Sequence, residues 1–242
     1  MERKSFLRSL MVTAVSSTVL WEACKKDAAA AEVSTETVSN PGAGSSSNTC
    51  AVAPTETEGP FPTKTPSGYV RSDITDGRTG YKMTAKLTIA NVNNNCAALP
   101  GVIVDIWHCD AEGNYSEYGG SGMQSVNYQS VHFLRGRQTT DANGLVTFTS
   151  IFPGWYNGRS THIHVHVYRA DGTSLKVTQI AFSEGSGSAV SIVNGYKKGL
   201  NGYTTNANDN VFSDDTNKLE LATVTGSIAA GFDLSIKINV PG

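Results

Sequence analysis

Charge is scarce in this chain. Asp, Glu, Lys and Arg make up 17% of its 242 residues, and the net charge is −2. No basic excess is available to neutralise phosphates, which argues against nucleic acid or an acidic polymer as partner. Cysteine is rare as well, with 4 in all and no Cys-x-x-Cys pair, so no close-spaced zinc framework is written into the sequence. Internal repeats, heptads and a Gly-rich phosphate loop are lacking, which removes solenoid, coiled-coil and nucleotide-loop readings. Long apolar runs are missing too. The nearest approach, Leu10 to Trp21, is broken by small polar residues and is too short to span a bilayer permanently.

That short run has a different meaning. It follows the basic residues Arg3, Lys4 and Arg8, and together they read as an export signal over residues 1–24. Arg3-Lys4-Ser5-Phe6-Leu7 resembles a relaxed twin-arginine motif. Leu20-Trp21-Glu22-Ala23-Cys24 resembles a lipoprotein cleavage site, in which case Cys24 carries lipid and the mature chain is anchored rather than membrane-spanning. The alternative is an ordinary cleaved signal with a stray cysteine. Either way the protein is expected outside the cytoplasm, in the periplasm or at the cell surface. Residues 25–49, rich in Ala, Ser, Thr, Gly and Asn, cannot bury a core and read as a flexible linker.

A folded domain is expected over residues 50–242. Glycine is plentiful at 24, which suits many short turns. Met83, Ala85, Leu87 and Ile89 alternate with Lys82, Thr84, Lys86 and Thr88, as in a half-buried strand over Tyr81–Ala90. Further strands are predicted at Val102–Trp107, Leu145–Ser150, His162–Tyr168, Val177–Phe182 and Phe232–Val240. Ser188–Lys198 reads as a short helix or irregular excursion. The architecture that follows is all-β, a β-sandwich of mainly antiparallel strands with long active-site loops. Outside the cytoplasm a disulfide is permitted, and Cys50 with Cys96 is the favoured pair, leaving Cys109 as a buried thiol. Sequence alone leaves other pairings, or a Cys/His metal site, open.

Chemistry concentrates in Tyr156-Asn157-Gly158-Arg159-Ser160-Thr161-His162-Ile163-His164, with Tyr115 upstream in Gly113-Asn114-Tyr115-Ser116. Histidines two apart on a strand share a face. Phenolate is a hard anionic donor and imidazole suits iron, so two tyrosines and two histidines form a set suited to Fe(III). His166 extends the same face but lies about 6.5 Å further along, so it is expected behind the site or in the core.

Five ordered segments resemble the intradiol ring-cleavage dioxygenases, the catechol and protocatechuate 3,4-dioxygenase superfamily. They are Thr55–Phe61, Pro100–Ala111, Gly113–Ser116, Arg135–Gly144 and Pro153–His164. The resemblance implies that Tyr115, Tyr156, His162 and His164 hold Fe(III), that substrate displaces Tyr156, that Arg159 lies beside the substrate, and that Gln179 takes the place of the family's hydrogen-bonding glutamine, Arg159, Tyr156 and Gln179 being the expected catalytic residues. It implies a catechol-type aromatic and O2 as substrates, with ring opening between the two hydroxylated carbons to a cis,cis-muconate-type dicarboxylate. Trp107 and His108 are expected in the core beneath the site, Asp105 and Asp110 as structural groups, and Trp155 and Tyr118 as pocket walls. Specificity is expected in the loops Gly119–Gln129 and Ser183–Asn210. The competing readings are a surface-anchored β-sandwich binding protein with a degenerate metal site, and a zinc or copper site on His162, His164 and His166.

Overall fold

The computed structural model describes residues 50–242; the export signal, Cys24 and the linker lie outside the described residues. Among the described residues, nine strands make up two sheets. β1 (Lys82–Asn91), β2 (Ala97–Ala98), β5 (Leu145–Ile151), β8 (Thr223–Ser227) and β9 (Gly231–Val240) form the first. Its order is β2-β1-β9-β8, with β5 also paired to β1. The second sheet runs β4-β3-β6-β7, built from β3 (Ile103–Trp107), β4 (Arg135–Thr139), β6 (His162–Tyr168) and β7 (Ser174–Ala181). Every named pairing is antiparallel except β1 with β9.

The period-two pattern of β1 does what its sequence implies: Met83, Ala85, Leu87 and Ile89 are wholly buried while Lys82 and Lys86 are exposed. They meet Val104, Ile106, Ile163, Val165 and Val167 from the facing sheet in one core, joined by Phe148, Phe152, Phe232 and Leu234. Each such side chain contributes roughly 1.5–3 kcal/mol on burial, which is what clamps the two sheets together. The Ser188–Lys198 excursion contains α1 (Ala189–Val193), capped by the Ser188 side chain, and a 3₁₀ turn at Tyr196–Lys198. Cys50 and Cys96 form a disulfide, and Cys109 is a buried free thiol.

Three strands escape the sequence reading, one of them β2, which is only the two residues Ala97–Ala98. β4, Arg-Gly-Arg-Gln-Thr, has no apolar alternation; it is a strand because it pairs along β3 and because Gly136 leaves room for Ile74. β8 is short and contains a glycine.

β6 is buried on both faces. Ile163, Val165 and Val167 enter the core, so His162, His164 and His166 face the other way. An N-terminal arm covers that outer face. It is tied down by Ala53 N–H to Asn239 O (2.9 Å), Glu56 N–H to Val177 O (3.0 Å) and Lys176 Nζ to Ala53 O (2.9 Å).

Candidate active site

The second sheet sets the site's first dimension. Arg135, Trp107, His164 and Gln179 are direct cross-strand partners, so they form one row on the outer face. The Trp107 and His164 rings lie parallel with centroids 4.9 Å apart, fixing the imidazole plane. On its other side Gly59 approaches so closely that an added Cβ would sit 2.9 Å from His164 Cε1, and its φ of +69° suits glycine besides. Two positions back, His162 brings its Nε2 within 3.2 Å of His164 Nε2.

The tyrosines arrive on loops. Asp110 shapes the first of these: its Oδ1 accepts from Glu112 N–H (3.0 Å) and Asn114 N–H (2.9 Å), closing the turn that presents Tyr115. Gln124 then clasps Tyr115 by its backbone, accepting from its N–H (2.7 Å) and donating to its carbonyl (2.9 Å). Phe61 from the arm stacks on the Tyr115 ring at 4.7 Å. Tyr115 is wholly buried, and its hydroxyl lies 3.2 Å from His162 Nε2. Tyr156 follows Gly154, where a Cβ would collide with Asp110 O at 2.4 Å. Its ring lies 5.5 Å from that of His162 and 5.8 Å from that of Tyr115, and it lines a cavity of about 280 Å³.

Arg159 lines the same cavity. Its Nη2 donates to Gln179 Oε1 (2.6 Å), and Gln179 in turn donates through Nε2 to Thr57 O on the arm (2.9 Å). Its Nε donates to both oxygens of Asp209, at 3.1 and 2.9 Å. Asp209 is wholly buried, and also accepts from Ser160 N–H (2.7 Å) and Val211 N–H (2.9 Å). Sequence reading did not single out Asp209. The only signal was an acid among Asn and Ser in a loop expected to matter, with nothing to relate it to Arg159 fifty residues away.

A family model described as "Dioxygenase" matches residues 58–225. The chain belongs to the intradiol ring-cleavage dioxygenase family. It is similar to an intradiol ring-cleavage dioxygenase from Tetranychus urticae, at 27% identity and a TM-score of 0.67, covering 79% of this chain and 96% of that one. It is also similar to the dioxygenase domain of a dioxygenase–carbohydrate-binding fusion from Streptomyces sp. SirexAA-E, with 23% identity, a TM-score of 0.55, and 78% and 97% covered. The fold is shared with 3-chlorocatechol 1,2-dioxygenase from Rhodococcus opacus 1CP, at 19% identity, a TM-score of 0.53, and 78% and 72% covered. No curated protein sequence matches. The chain is therefore an enzyme, an intradiol ring-cleavage dioxygenase.

The electrostatics of this dioxygenase's site are those of four neutral donors. Burial drives the Tyr115 phenol well above its ordinary pKa and raises that of Tyr156, where the nearby Arg159 charge works in the opposite direction. Burial, then the Arg159 charge, depresses His162 to about 3; burial, then His162, holds His164 well below its usual value. His162 Nδ1 lies 2.6 Å from Ser160 O and must carry the proton that it donates there. Its Nε2 is therefore a bare lone pair, with Tyr115 O–H and His164 Nε2 both aimed at it. His164 Nδ1 has no hydrogen-bond partner among the described residues. In either tautomer the arrangement is unsatisfied: His164 Nε2 competes with Tyr115 O–H for that lone pair, or sets a second lone pair against it. A cation would resolve the conflict by taking both Nε2 lone pairs and a phenolate oxygen at once, so the donor set fits a metal.

Among the described residues no group of three or more His, Cys, Asp and Glu converges, so a metal here must also take tyrosine oxygens. His166 is engaged elsewhere, with Nδ1 2.9 Å from Glu58 Oε1 and Nε2 2.7 Å from Ser174 Oγ. That removes the three-histidine arrangement and agrees with the role expected for it behind the site. His108 is buried between Cys109 O and Ser150 Oγ, and Asp105 is held by Arg137, so both are structural as expected.

The expectation for Trp155 and Tyr118 is corrected. Trp155 is 2% exposed, donates to Gly199 O and lies under Lys198 Nζ, away from the cavity. Tyr118 packs edge-on against Phe61 and donates to Pro62 O. Both support the loops that carry the site. Large aromatic side chains serve either role, and only the fold reveals which side they turn to.

Proposed function

We propose that this dioxygenase uses Fe(III) held by Tyr115, Tyr156, His162 and His164 to cleave a catechol-type ring between its two hydroxylated carbons, giving a cis,cis-muconate-type dicarboxylate. The observation that carries the reading is the asymmetry of the two tyrosines: Tyr115 is sealed and bonded to His162, whereas Tyr156 lines the cavity beside Arg159. Of the pair, Tyr156 is the one an incoming substrate can reach and displace. When bound, ferric iron would supply Lewis acidity that favours ionised oxygen ligands and would make the chelated ring reactive toward O2.

The protein's own groups do the remaining work. Ionised by the metal it would hold, Tyr156 Oη would be the base for a substrate hydroxyl proton, becoming a neutral phenol. The Arg159 guanidinium, beside Tyr156 at the cavity wall, would stabilise negative charge that grows on the ring and its oxygens. Asp209 and Gln179 hold that guanidinium from two sides, so little reorganisation is needed when charge develops. The arm over His164, with Phe61 on Tyr115, excludes water from the ligand nitrogens and oxygens. Ser160 O fixes the His162 tautomer that leaves Nε2 free.

Export is part of the proposal. The basic start, the interrupted apolar run and Cys24 support delivery outside the cytoplasm, with a lipid anchor through Cys24. The decisive experiment is a visible spectrum of purified, metal-analysed protein with and without catechol under anaerobic conditions. A broad tyrosinate-to-ferric band that shifts with catechol is expected. A protein that stays colourless after iron reconstitution would sink the proposal.

A further inference from the structure

Among the described residues Arg159 is the sole charged side chain lining the cavity, and its charge is balanced by the Asp209 carboxylate at 2.9 Å. The rest of the wall is uncharged: Pro60, Met123 and Val211 are apolar, and Thr57, Asn157 and Asn210 are neutral. Other cations of the strands and loops that carry the site are engaged, Arg135 by Ser116 O at 2.7 Å and Phe61 O at 3.0 Å. Lys64 donates to Glu117 O at 2.7 Å, Arg78 pairs with Asp110 at 2.5 Å, and Lys198 donates to Trp155 O at 3.0 Å.

A second observation concerns Met123. It is 71% exposed, a large apolar side chain that folding leaves in water. Its loop is not loose, because the adjacent Gln124 donates to the carbonyls of Tyr115, Tyr118 and Val126 while accepting from Tyr115 N–H. Met123 is thus held at the cavity edge by the same residue that positions Tyr115. A polarizable thioether in that place is suited to apolar ligand surface of variable shape.

We propose that the substrate is a catechol bearing an uncharged, apolar substituent, which rests against Met123 and Val211, and that acid-bearing catechols are disfavoured. This rests on the catechol-cleaving reading above and narrows it. An added carboxylate would lose its hydration on entry and find no cation beyond Arg159, whose charge Asp209 already balances. An alkyl or aryl group would instead cover the exposed thioether. Asn210, exposed and uncharged at the cavity wall, becomes the position where a cation would reverse the preference.

The test is an anaerobic titration of the iron-loaded protein, following the shift of its visible band, with catechol, 4-methylcatechol and 3,4-dihydroxybenzoate as probes. 4-Methylcatechol is expected to bind tightest and the carboxylated probe at least about tenfold more weakly. Met123→Ala should remove the advantage of the methyl compound over catechol. Asn210→Lys, at an exposed site that folding does not depend on, should strengthen binding of the carboxylated probe by about tenfold. Wild-type binding of 3,4-dihydroxybenzoate as tight as that of 4-methylcatechol would overturn this inference and leave the ring-cleavage reading standing. Absence of any band shift with all three probes would instead overturn the ring-cleavage reading on which it rests.

Discussion

Replacing Asp209 by alanine removes the acceptor of four hydrogen bonds at once: those from Arg159 Nε, Ser160 N–H, Ser160 Oγ and Val211 N–H. The carboxylate is 0% exposed and the Arg159 side chain 10%, so water can screen or replace little of what is lost. Breaking a buried ion pair from one side costs about 3–5 kcal/mol, since the surviving charge stays buried and unpaired. For a domain of this size that is a fall of roughly 6–20 °C in Tm. Asp209→Asn should cost less, because it keeps the shape and one acceptor oxygen. The effect should reach the proposed metal site as well. Ser160 N–H is held by Asp209, and Ser160 O accepts from His162 Nδ1, so losing the carboxylate loosens the group that fixes the His162 tautomer. Denaturant unfolding, iron content and the visible spectrum would be measured for both variants. A loss below about 1 kcal/mol for Asp209→Ala, with iron and spectrum unchanged, would refute the argument that this carboxylate organises the site. The pH dependence has a definite sign. Burial pushes the Asp209 carboxyl up, but the Ser160 and Val211 N–H groups and the Arg159 charge outweigh it and hold the folded value below the ordinary 3.8. Its stabilisation is therefore complete above that value and is lost as pH falls through the lower folded one.

Reduction of the Cys50–Cys96 bond, which closes a separation of 46 residues, should lower stability by at most about 4 kcal/mol on the chain-entropy estimate. Unfolding with and without reductant at neutral pH checks this; an unchanged midpoint would mean that the arm needs no staple. His108 is depressed by burial from 6.5 to about 4, so the unfolded chain takes up a proton across that range that the folded chain refuses. Stability should therefore fall by ~1.4 kcal/mol per pH unit on this account as pH drops below 6.5 toward 4, and His108→Asn should flatten the slope by that amount. Tyr115→Phe should cost only about 1 kcal/mol of stability, the net worth of its hydrogen bond to His162, yet abolish iron retention through dialysis. Tyr156→Phe should retain iron with an altered band. Equal retention in the two variants would contradict the division of roles between them.

Much of this was legible because the chemistry rides on regular structure. β6 runs over His162–Tyr168 as its alternation implies, and that one strand fixes the spacing and common direction of His162 and His164. Gln179 becomes a neighbour of His164 by antiparallel register. The register itself was not readable, so the resemblance had to supply what pairing later explained. Arg135 illustrates the limit. As part of Arg-Gly-Arg-Gln-Thr it reads as loop, yet it is 1% exposed and donates to Phe61 O, Ser116 O and Ser116 Oγ. Those bonds lock the arm to the Tyr115 loop, and none leaves a local signature, because each partner lies at least nineteen residues away.

The specificity loops divide in the same manner. Gly119–Gln129 and Ser183–Asn210 were expected to matter, and Met123 and Asn210 do reach the cavity. What composition could not supply is that one is pinned through Gln124 to Tyr115 and the other follows the carboxylate that grips Arg159. Each proposed specificity position is thus one residue from a group that also organises the proposed catalytic set. Substitution at Met123 or Asn210 can change what the cavity accepts, whereas substitution at Gln124 or Asp209 disturbs the groups that would hold the metal. That adjacency lets recognition vary on a fixed chemical centre, provided the anchoring residue of each loop is kept.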